Sequence, residues 1–457
     1  MKKKIEKTKG QIISPRWLVE FMYKLIASKL KLDLHLMDNS CGDGAFLCVY
    51  AEVLCTAHER LYPGQKERLK ECLETYIHGI EIDTALYERC LTNLSQTASK
   101  FGIEDVKWDV QNGDALTTND YNGQMDIVIG NPPYVRIHNM TTSVRNFIFC
   151  KEGMSDMYLA FFEKGLEMLK ENGTLLYITP NSWLTSASAK ELRKFVVNNH
   201  LLRAIYDFEG YQVFPKVSSY TIINKFEKSE MESFVYCKYF DAEQKTFDKI
   251  EVIQYSESYI NGKLYTENLE YTKDILSCQG KTIQVKNGYA TLNDDFFIND
   301  DIPNTPFTIK VIKASTGMWK NCFYPYDKSG KPLDEDILML SEPMMKYFEK
   351  HENIRKKMVY FGRTQALKDT YTKKLAVNNL IRDKKDLKVT KVKAGQGVYS
   401  GFYILADDVD DKWIKKTIIS DEFVAFVKSL KKYKSGGYYT FNTKDLEKYL
   451  NFKYESL

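Results

Sequence analysis

The sequence predicts an α/β fold: a mostly parallel sheet with an antiparallel edge, followed by a C-terminal domain of mixed α+β character. Three observations predict it. Short apolar runs alternate with helical stretches up to about residue 200. Two late apolar runs then follow each other with no helix between them. Beyond about residue 230 the alternation gives way to aromatic and β-branched runs mixed with lysine-rich stretches. Strands alternating with helices build parallel βαβ units, and two strands in direct succession form a hairpin that adds an antiparallel edge.

Taken in order, residues 34–38 form the first strand, followed by the turn Asn39-Ser-Cys-Gly-Asp-Gly44 and a helix over 45–57. The second strand spans 75–82, with a helix over 84–100, and the third spans 106–110. The fourth spans 125–130 and ends at a proline pair. A helix over 156–170, a strand over 173–179 and a helix over 187–198 come next, and strands at 202–208 and 219–226 close the pattern.

The 457 residues, 44% of them hydrophobic, suffice for two cores. The composition change places a boundary within 228–245, giving domains 1–235 and 236–457. A net charge of +4 announces no nucleic-acid partner by itself, but positions 351–393 hold 13 Lys/Arg against 4 Asp/Glu. No run of 18 apolar residues exists, and no apolar core follows the basic start Met1-Lys-Lys-Lys4. A cytoplasmic protein is therefore expected. Nine cysteines without a CxxC pair predict free thiols, and six dispersed histidines predict no structural zinc.

Chemistry enters at the strand ends. Asp38-Asn-Ser-Cys-Gly-Asp-Gly44 joins a strand to a helix, where glycines let a ligand approach the backbone and the helix N-terminus favours negative groups. It lacks the Gly-Lys-Ser/Thr of a phosphate-binding loop. Glu81, at the end of the second strand, suits the ribose hydroxyls of a nucleoside cofactor. Asp114, in Asn112-Gly-Asp-Ala115 after the third strand, is placed to accept from an adenine amino group. Taken singly, each is equally a turn or a helix cap.

The fourth strand delivers Asn131-Pro-Pro-Tyr134 to the same edge. An exocyclic aromatic amine is a poor nucleophile because its lone pair is delocalised into the ring. Two in-plane acceptors, the Asn131 side-chain carbonyl and the Pro132 backbone carbonyl, would let the nitrogen pyramidalise and attack a methyl group. Proline suits the position because it carries no N–H and its φ is fixed. Tyr134 offers a stacking face for a base.

In this order the motifs resemble the gamma (TaqI-like) group of N6-adenine DNA methyltransferases, over residues 8–228. The resemblance implies a Rossmann-like methyltransferase sheet with a C-terminal target-recognition domain, S-adenosylmethionine as cofactor and double-stranded DNA as partner. It also implies the modification enzyme of a restriction-modification system, with a separately encoded restriction endonuclease, or an orphan methylase. Gly10-Gln-Ile-Ile-Ser-Pro-Arg-Trp-Leu-Val-Glu-Phe-Met22 is similar to the group's N-terminal motif, so Ile13 and Ser14 would help hold the methionine end of the cofactor. Asp38, Ser40, Gly42 and Gly44 would form the cofactor loop, although Ser40-Cys-Gly stands where small residues are common. Glu81 and Ile82 would bind the ribose side, Asp114 and Ala115 the adenine side, and Asn131 would touch the cofactor as well as the base. Asp156-Met-Tyr-Leu-Ala-Phe-Phe-Glu-Lys164 and Pro180-Asn-Ser-Trp-Leu184 also fit the group. In Tyr211-Gln-Val-Phe-Pro-Lys-Val217, Phe214 corresponds to an aromatic that packs the flipped base and Lys216 to a DNA contact.

A base inside a duplex must be flipped out to reach a sheet edge. The basic run from Arg355 to Lys393, including Lys374, Lys384, Lys385 and Lys388, is expected to neutralise phosphates. Arg363 and Gln365 suit the reading of guanine and adenine edges, and the glycine-flanked Lys434, Tyr438 and Tyr439 suit a second contact loop. Asn-Pro-Pro-Tyr is shared with enzymes acting on other nitrogens, so an RNA or protein-glutamine N-methyltransferase stays open, as does a catalytically idle DNA-binding specificity protein. Motif-bearing sequence from residue 10 is expected to leave no room for an N-terminal nuclease.

Overall fold

The computed structural model describes residues 12–136, 142–152, 155–214, 220–228, 231–355, 358–434 and 436–457. The chain divides into two compact units, Met1–Thr266 and Glu267–Leu457. No helix among the described residues is long and apolar enough to cross a membrane.

The first unit is built on a nine-stranded sheet. Its strands are β1 (Leu36–Asp38), β2 (Ile77–Glu81), β3 (Asp109–Asn112), β4 (Met125–Gly130), β5 (Leu169–Pro180), β6 (Leu202–Asp207), β7 (Thr221–Glu227), β8 (Ser233–Asp241) and β9 (Thr246–Gln254), in spatial order β3-β2-β1-β4-β5-β7-β6-β8-β9. The first five run parallel. β7 is antiparallel to both β5 and β6, β6 is parallel to β8, and β9 closes antiparallel on β8. β4 is buried along almost its whole length, as a strand covered on both faces must be. The chain steps outward through β1, β2 and β3, then returns to place β4 on the other side of β1. That reversal opens a crevice at the carboxyl ends of β1 and β4.

The longer helices are α1 (Arg16–Lys24), α2 (Ala45–Leu61), α3 (Lys66–Tyr76), α4 (Thr84–Ser99), α5 (Tyr158–Met168) and α6 (Lys190–Asn198). Asp83 starts α4 by accepting the Ala85 and Leu86 N–H groups, a side-chain cap worth about 1 kcal/mol. Four expectations are corrected. Thr75 and Tyr76 end α3, whose Leu69 and Leu73 bury one face one helical turn apart, so strand begins only at Ile77. The third strand lies at Asp109–Asn112 and not at 106–110, because its register against β2 pairs Asp109 with His78 and Asn112 with Glu81. The β6–β7 pair is not the sheet's edge, since β8 pairs with β6 and β9 covers β8. For the same reason the first unit runs to Thr266 and not to 235: residues 233–254 are strands of its sheet.

The second unit mixes helices with small sheets around an aromatic core that includes Phe296, Phe297, Phe323 and Tyr324. Its two four-stranded sheets include residues 374–377 in one and 396–399 in the other. A three-stranded sheet joins residues 380–381, 438–440 and 433–434. The last helix, Thr443–Glu455, starts at a capping box between Asn442 and Asp445.

Candidate active site

The carboxyl ends of β1, β2, β3 and β4 open onto one cavity of about 550 Å3. Of the residues expected to meet a cofactor, Ile13, Ser14, Asp38, Ser40, Gly42, Glu81, Ile82, Asp114, Ala115 and Asn131 all line it. Gly44 does not. Its φ is +87°, and a Cβ there would lie 2.7 Å from Cys90 Sγ, so this glycine lets α2 begin against α4.

Asp38 ends β1 with its side chain buried. Its Oδ1 accepts the Ser40 N–H at 3.1 Å and lies against β4, where a Cβ on Gly130 would come within 2.7 Å of it. Burial pushes the Asp38 carboxyl up to about 8; the Ser40 N–H opposes that shift and the Glu81 charge adds to it. Glu81 is also buried. One of its oxygens accepts the Gly42 N–H at 2.9 Å and the other the Asp83 N–H at 2.8 Å. Burial raises its carboxyl above the usual range against those two donors. Gly42, at φ +56° with open space around it, makes the left-handed turn that aims its N–H at Glu81. Asp114 uses Oδ1 to accept the Leu116 N–H at 3.0 Å, an Asx turn that fixes the loop after β3.

Asn131 follows β4 directly. Its Nδ2 donates to the Ile12 carbonyl at 3.3 Å and to Ser14 Oγ at 3.2 Å. Its Oδ1 is buried and has no hydrogen-bond partner among the described residues, and the same holds for Ser40 Oγ. An unsatisfied buried polar atom costs about 1–3 kcal/mol, so two at one cavity mark where a ligand's polar groups would arrive. Two isoleucines at the same cavity, Ile13 and Ile82, are 72% and 68% exposed, an apolar surface left for a ring to cover.

Tyr134 is fixed through its hydroxyl, which donates to the Ile178 carbonyl at 3.0 Å, and its ring meets Tyr158 edge-on at 6.4 Å. Desolvation holds its phenol well above the usual range. Pro132 is buried, and Pro133 rather than Pro132 lines the cavity. Phe214 departs from expectation: it is 4% exposed and packs in the core with Phe208 and Val213, not at the cavity. The local pattern 211–217 fixed its position along the chain but not the direction of its ring. Lys216 lies outside the described residues.

Sequence reasoning missed Asn39, which lines the cavity while its Oδ1 accepts the Tyr177 hydroxyl at 2.7 Å. It also missed Met157 and Phe161, which line the cavity from the start of α5 and within it. The segment Asp156–Lys164 was the available signal for these two. Nothing in the sequence marks the Ile12 backbone carbonyl.

In the second unit, residues chosen for DNA have varied surroundings. Arg363 and Lys385 are exposed. Gln365 donates to the Gly288 carbonyl at 2.6 Å, so its amide serves the unit's own backbone in this conformation. Lys384 pairs with Asp421 at 2.6 Å, and Lys388 donates to the Thr316 carbonyl at 3.1 Å. Lys374 is a correction. It is 4% exposed on a buried strand, and its Nζ donates to the carbonyls of Asp369, Thr370 and Thr372, so it meets no phosphate. Burial pushes its ammonium down to about 8. Around the Gly436–Gly437 turn, Arg382 lies 4.5 Å above the Tyr438 ring, and Tyr439 packs at 4.9 Å from Tyr433. Lys434 is exposed on the adjoining strand. Lys356 and Lys357 lie outside the described residues.

Comparison with known proteins bears on these assignments. The model of the Eco57I restriction-modification methylase family matches residues 27–214, a segment that holds the cofactor loop, Glu81, Asp114 and the tetrapeptide. The Type II restriction enzyme and methyltransferase RM.Eco57I of Escherichia coli is 32% identical over 120 residues, 25% of this chain and 12% of that protein. The Type II methyltransferase M.BstVI of Geobacillus stearothermophilus is 28% identical over 203 residues, 41% of this chain and 36% of that one. The matched parts thus span well under half the length of these curated relatives. Among solved structures, the Type IIL restriction-modification enzyme MmeI in complex with DNA superposes with a TM-score of 0.64 at 13% identity, over 97% of this chain and 66% of that one. A nuclease-deletion mutant of the Type ISP enzyme LlaGI gives 0.61 at 12% identity, over 98% and 47%. At such identities the likeness shows the fold: a Rossmann-like sheet followed by a further domain, as expected from the sequence.

Proposed function

We propose that the chain is the DNA methyltransferase of a restriction-modification system, transferring a methyl group from S-adenosylmethionine to the exocyclic N6 of adenine in duplex DNA. The observation that carries this reading is Asn131. Both hydrogens of its amide nitrogen are taken up by Ile12 and Ser14, and its buried Oδ1 is left without a partner among the described residues. What remains is an acceptor without a donor, which suits an amine N–H and not a hydroxylate or a carboxylate. An N–H donated to Oδ1 draws the amine lone pair out of conjugation with its ring.

S-adenosylmethionine, when bound, supplies an electrophilic methyl group on a sulfonium. The residues present fit such a group. Glu81 offers carboxylate oxygens for ribose hydroxyls, Ser40 a hydroxyl without a partner among the described residues, and Ile13 and Ile82 an apolar surface for a purine. Tyr134, the last residue of the tetrapeptide, is anchored by its hydroxyl, and stacking of its ring on a flipped base would offset part of the flipping cost, about 1–3 kcal/mol. Exposed cations of the second unit, Arg363 and Lys385 among them, would hold the phosphates and read the site. A cognate restriction endonuclease need not touch this chain.

The test is direct. The full chain is incubated with methyl-labelled cofactor and, in parallel, with duplex DNA, RNA or peptide, and the DNA is digested to nucleosides. N6-methyladenine is the expected product. N4-methylcytosine in its place would overturn the choice of base, and label found only in RNA or in peptide amides would overturn DNA as the substrate.

A further inference from the structure

The amide of Asn131 is not held by its own sheet. Its nitrogen is gripped by the strap of residues 12–14 that precedes α1. A backbone carbonyl can only accept, so Ile12 admits the amide nitrogen and rejects the amide oxygen. Ser14 Oγ, on a residue only 9% exposed, takes the second hydrogen at 3.2 Å. Rotating the amide by half a turn would set Oδ1 against the Ile12 oxygen, two acceptors face to face. The strap therefore decides which atom of Asn131 is left for a substrate.

The strap is itself anchored at a distance. Three residues after Ser14, Trp17 stacks on Phe240 at 5.8 Å with ring planes 26° apart. Phe208 and Tyr211 meet its edges at 6.3 and 6.2 Å, and the Lys245 ammonium lies 4.7 Å from its ring. Phe240 is carried by β8, beyond the segment that the family model matches.

We infer that Ser14 is a positioning residue: by accepting one amide hydrogen of Asn131 it orients the Asn131 carbonyl toward the substrate amine. This rests on the reading of Asn131 given above. It makes the strap that borders the cofactor cavity also the element that readies the base acceptor, so loosening the strap would slow chemistry even with cofactor saturating.

Two measurements on the full chain test it. In single-turnover assays at saturating cofactor and DNA, Ser14→Ala is expected to slow methyl transfer about tenfold, the equivalent of one lost hydrogen bond, a loss that further cofactor does not restore. Ser14→Thr, which keeps the hydroxyl, is expected to restore most of the rate. A full rate in Ser14→Ala at saturating cofactor, with cofactor affinity weakened instead, would make Ser14 a cofactor contact and overturn the inference. The second measurement needs no activity. With 15N-asparagine labelling, the Asn131 side-chain amide signals, identified by their loss in Asn131→Asp, should exchange with solvent about tenfold faster in Ser14→Ala. Equal exchange in the two proteins would overturn the inference whatever the activity. If the exchange changes as expected but the wild type methylates no DNA, the functional reading falls and the positioning role stands.

Discussion

The strand-end edge of the first unit and the basic surface of the second handle polar groups in opposite ways. Around the first unit's cavity, Glu81, Asp38 and Asn131 use some of their hydrogen-bonding capacity on the loops that hold them, while Asn131 Oδ1 and Ser40 Oγ have no partner among the described residues. In the second unit, cations are largely engaged with the unit itself. Lys373 and Lys391 both reach Asp411, Lys384 reaches Asp421, and Lys374 is sunk among backbone carbonyls. The difference teaches where to look for a ligand. A buried group without a partner carries a free-energy cost that a ligand can relieve, whereas a lysine in a surface ion pair is indifferent by about 1 kcal/mol or less and declares nothing.

The hardest blow to this contrast would come from Asn131→Ala. Transfer is expected to fall about 100- to 1000-fold, by analogy with the loss of one preorganised group at a reacting centre, while thermal stability and cofactor binding stay near wild type. Turnover within a few-fold of wild type would mean that the unpartnered acceptor is not used. Next comes Glu81→Ala, which should weaken cofactor binding by about 1.5–3 kcal/mol, because the variant loses a charged acceptor and frees the Gly42 loop. Calorimetry showing unchanged affinity would reduce Glu81 to a structural clasp.

The second unit offers an internal control. Lys374→Met should lower unfolding stability by about 1–3 kcal/mol, leaving carbonyls unpaired, without altering the salt dependence of DNA binding. Lys385→Ala should leave stability alone, weaken binding to all sequences alike and reduce the salt slope by about one. Denaturant titration and binding across a salt series read both quantities, and a reversed pattern would redraw the DNA surface. The smallest effect is expected from Tyr134→Phe. Losing the bond to the Ile178 carbonyl should cost about 1 kcal/mol in transfer, and Tyr134→Ala should cost more by roughly the stacking energy of about 1–3 kcal/mol. Transfer equal in the Phe variant and the wild type would leave the ring as the whole contribution of this residue.

Much of the first unit was legible because its signals are local. The apolar run Met125–Gly130 matches its strand end to end, and the tetrapeptide that follows needs only that strand to reach the edge. Asp38, Glu81 and Asp114 came together because each sits at or just past the carboxyl end of a parallel strand, and parallel strands end on the same side. The strands β8 and β9 were not legible as part of that sheet. β8 joins the sheet by pairing with β6, more than 25 residues away along the chain, and β9 follows on β8, which no periodicity reveals. Phe214 failed for a related reason: a loop sequence states that an aromatic is present and leaves its direction to the packing around it.

The sequence by itself determined the order of strands and chemical groups along the first unit, because hydrophobic period and strand-terminating turns are properties of neighbouring residues. Only the tertiary structure decided which polar atoms are satisfied: that Ile12 and Ser14 take both amide hydrogens of Asn131, that Lys374 faces inward and Lys385 outward, that Gln365 is tied to Gly288. Hydrogen-bond satisfaction depends on partners brought together from distant positions, and the same residue type stands on either side of that line according to what the fold places beside it.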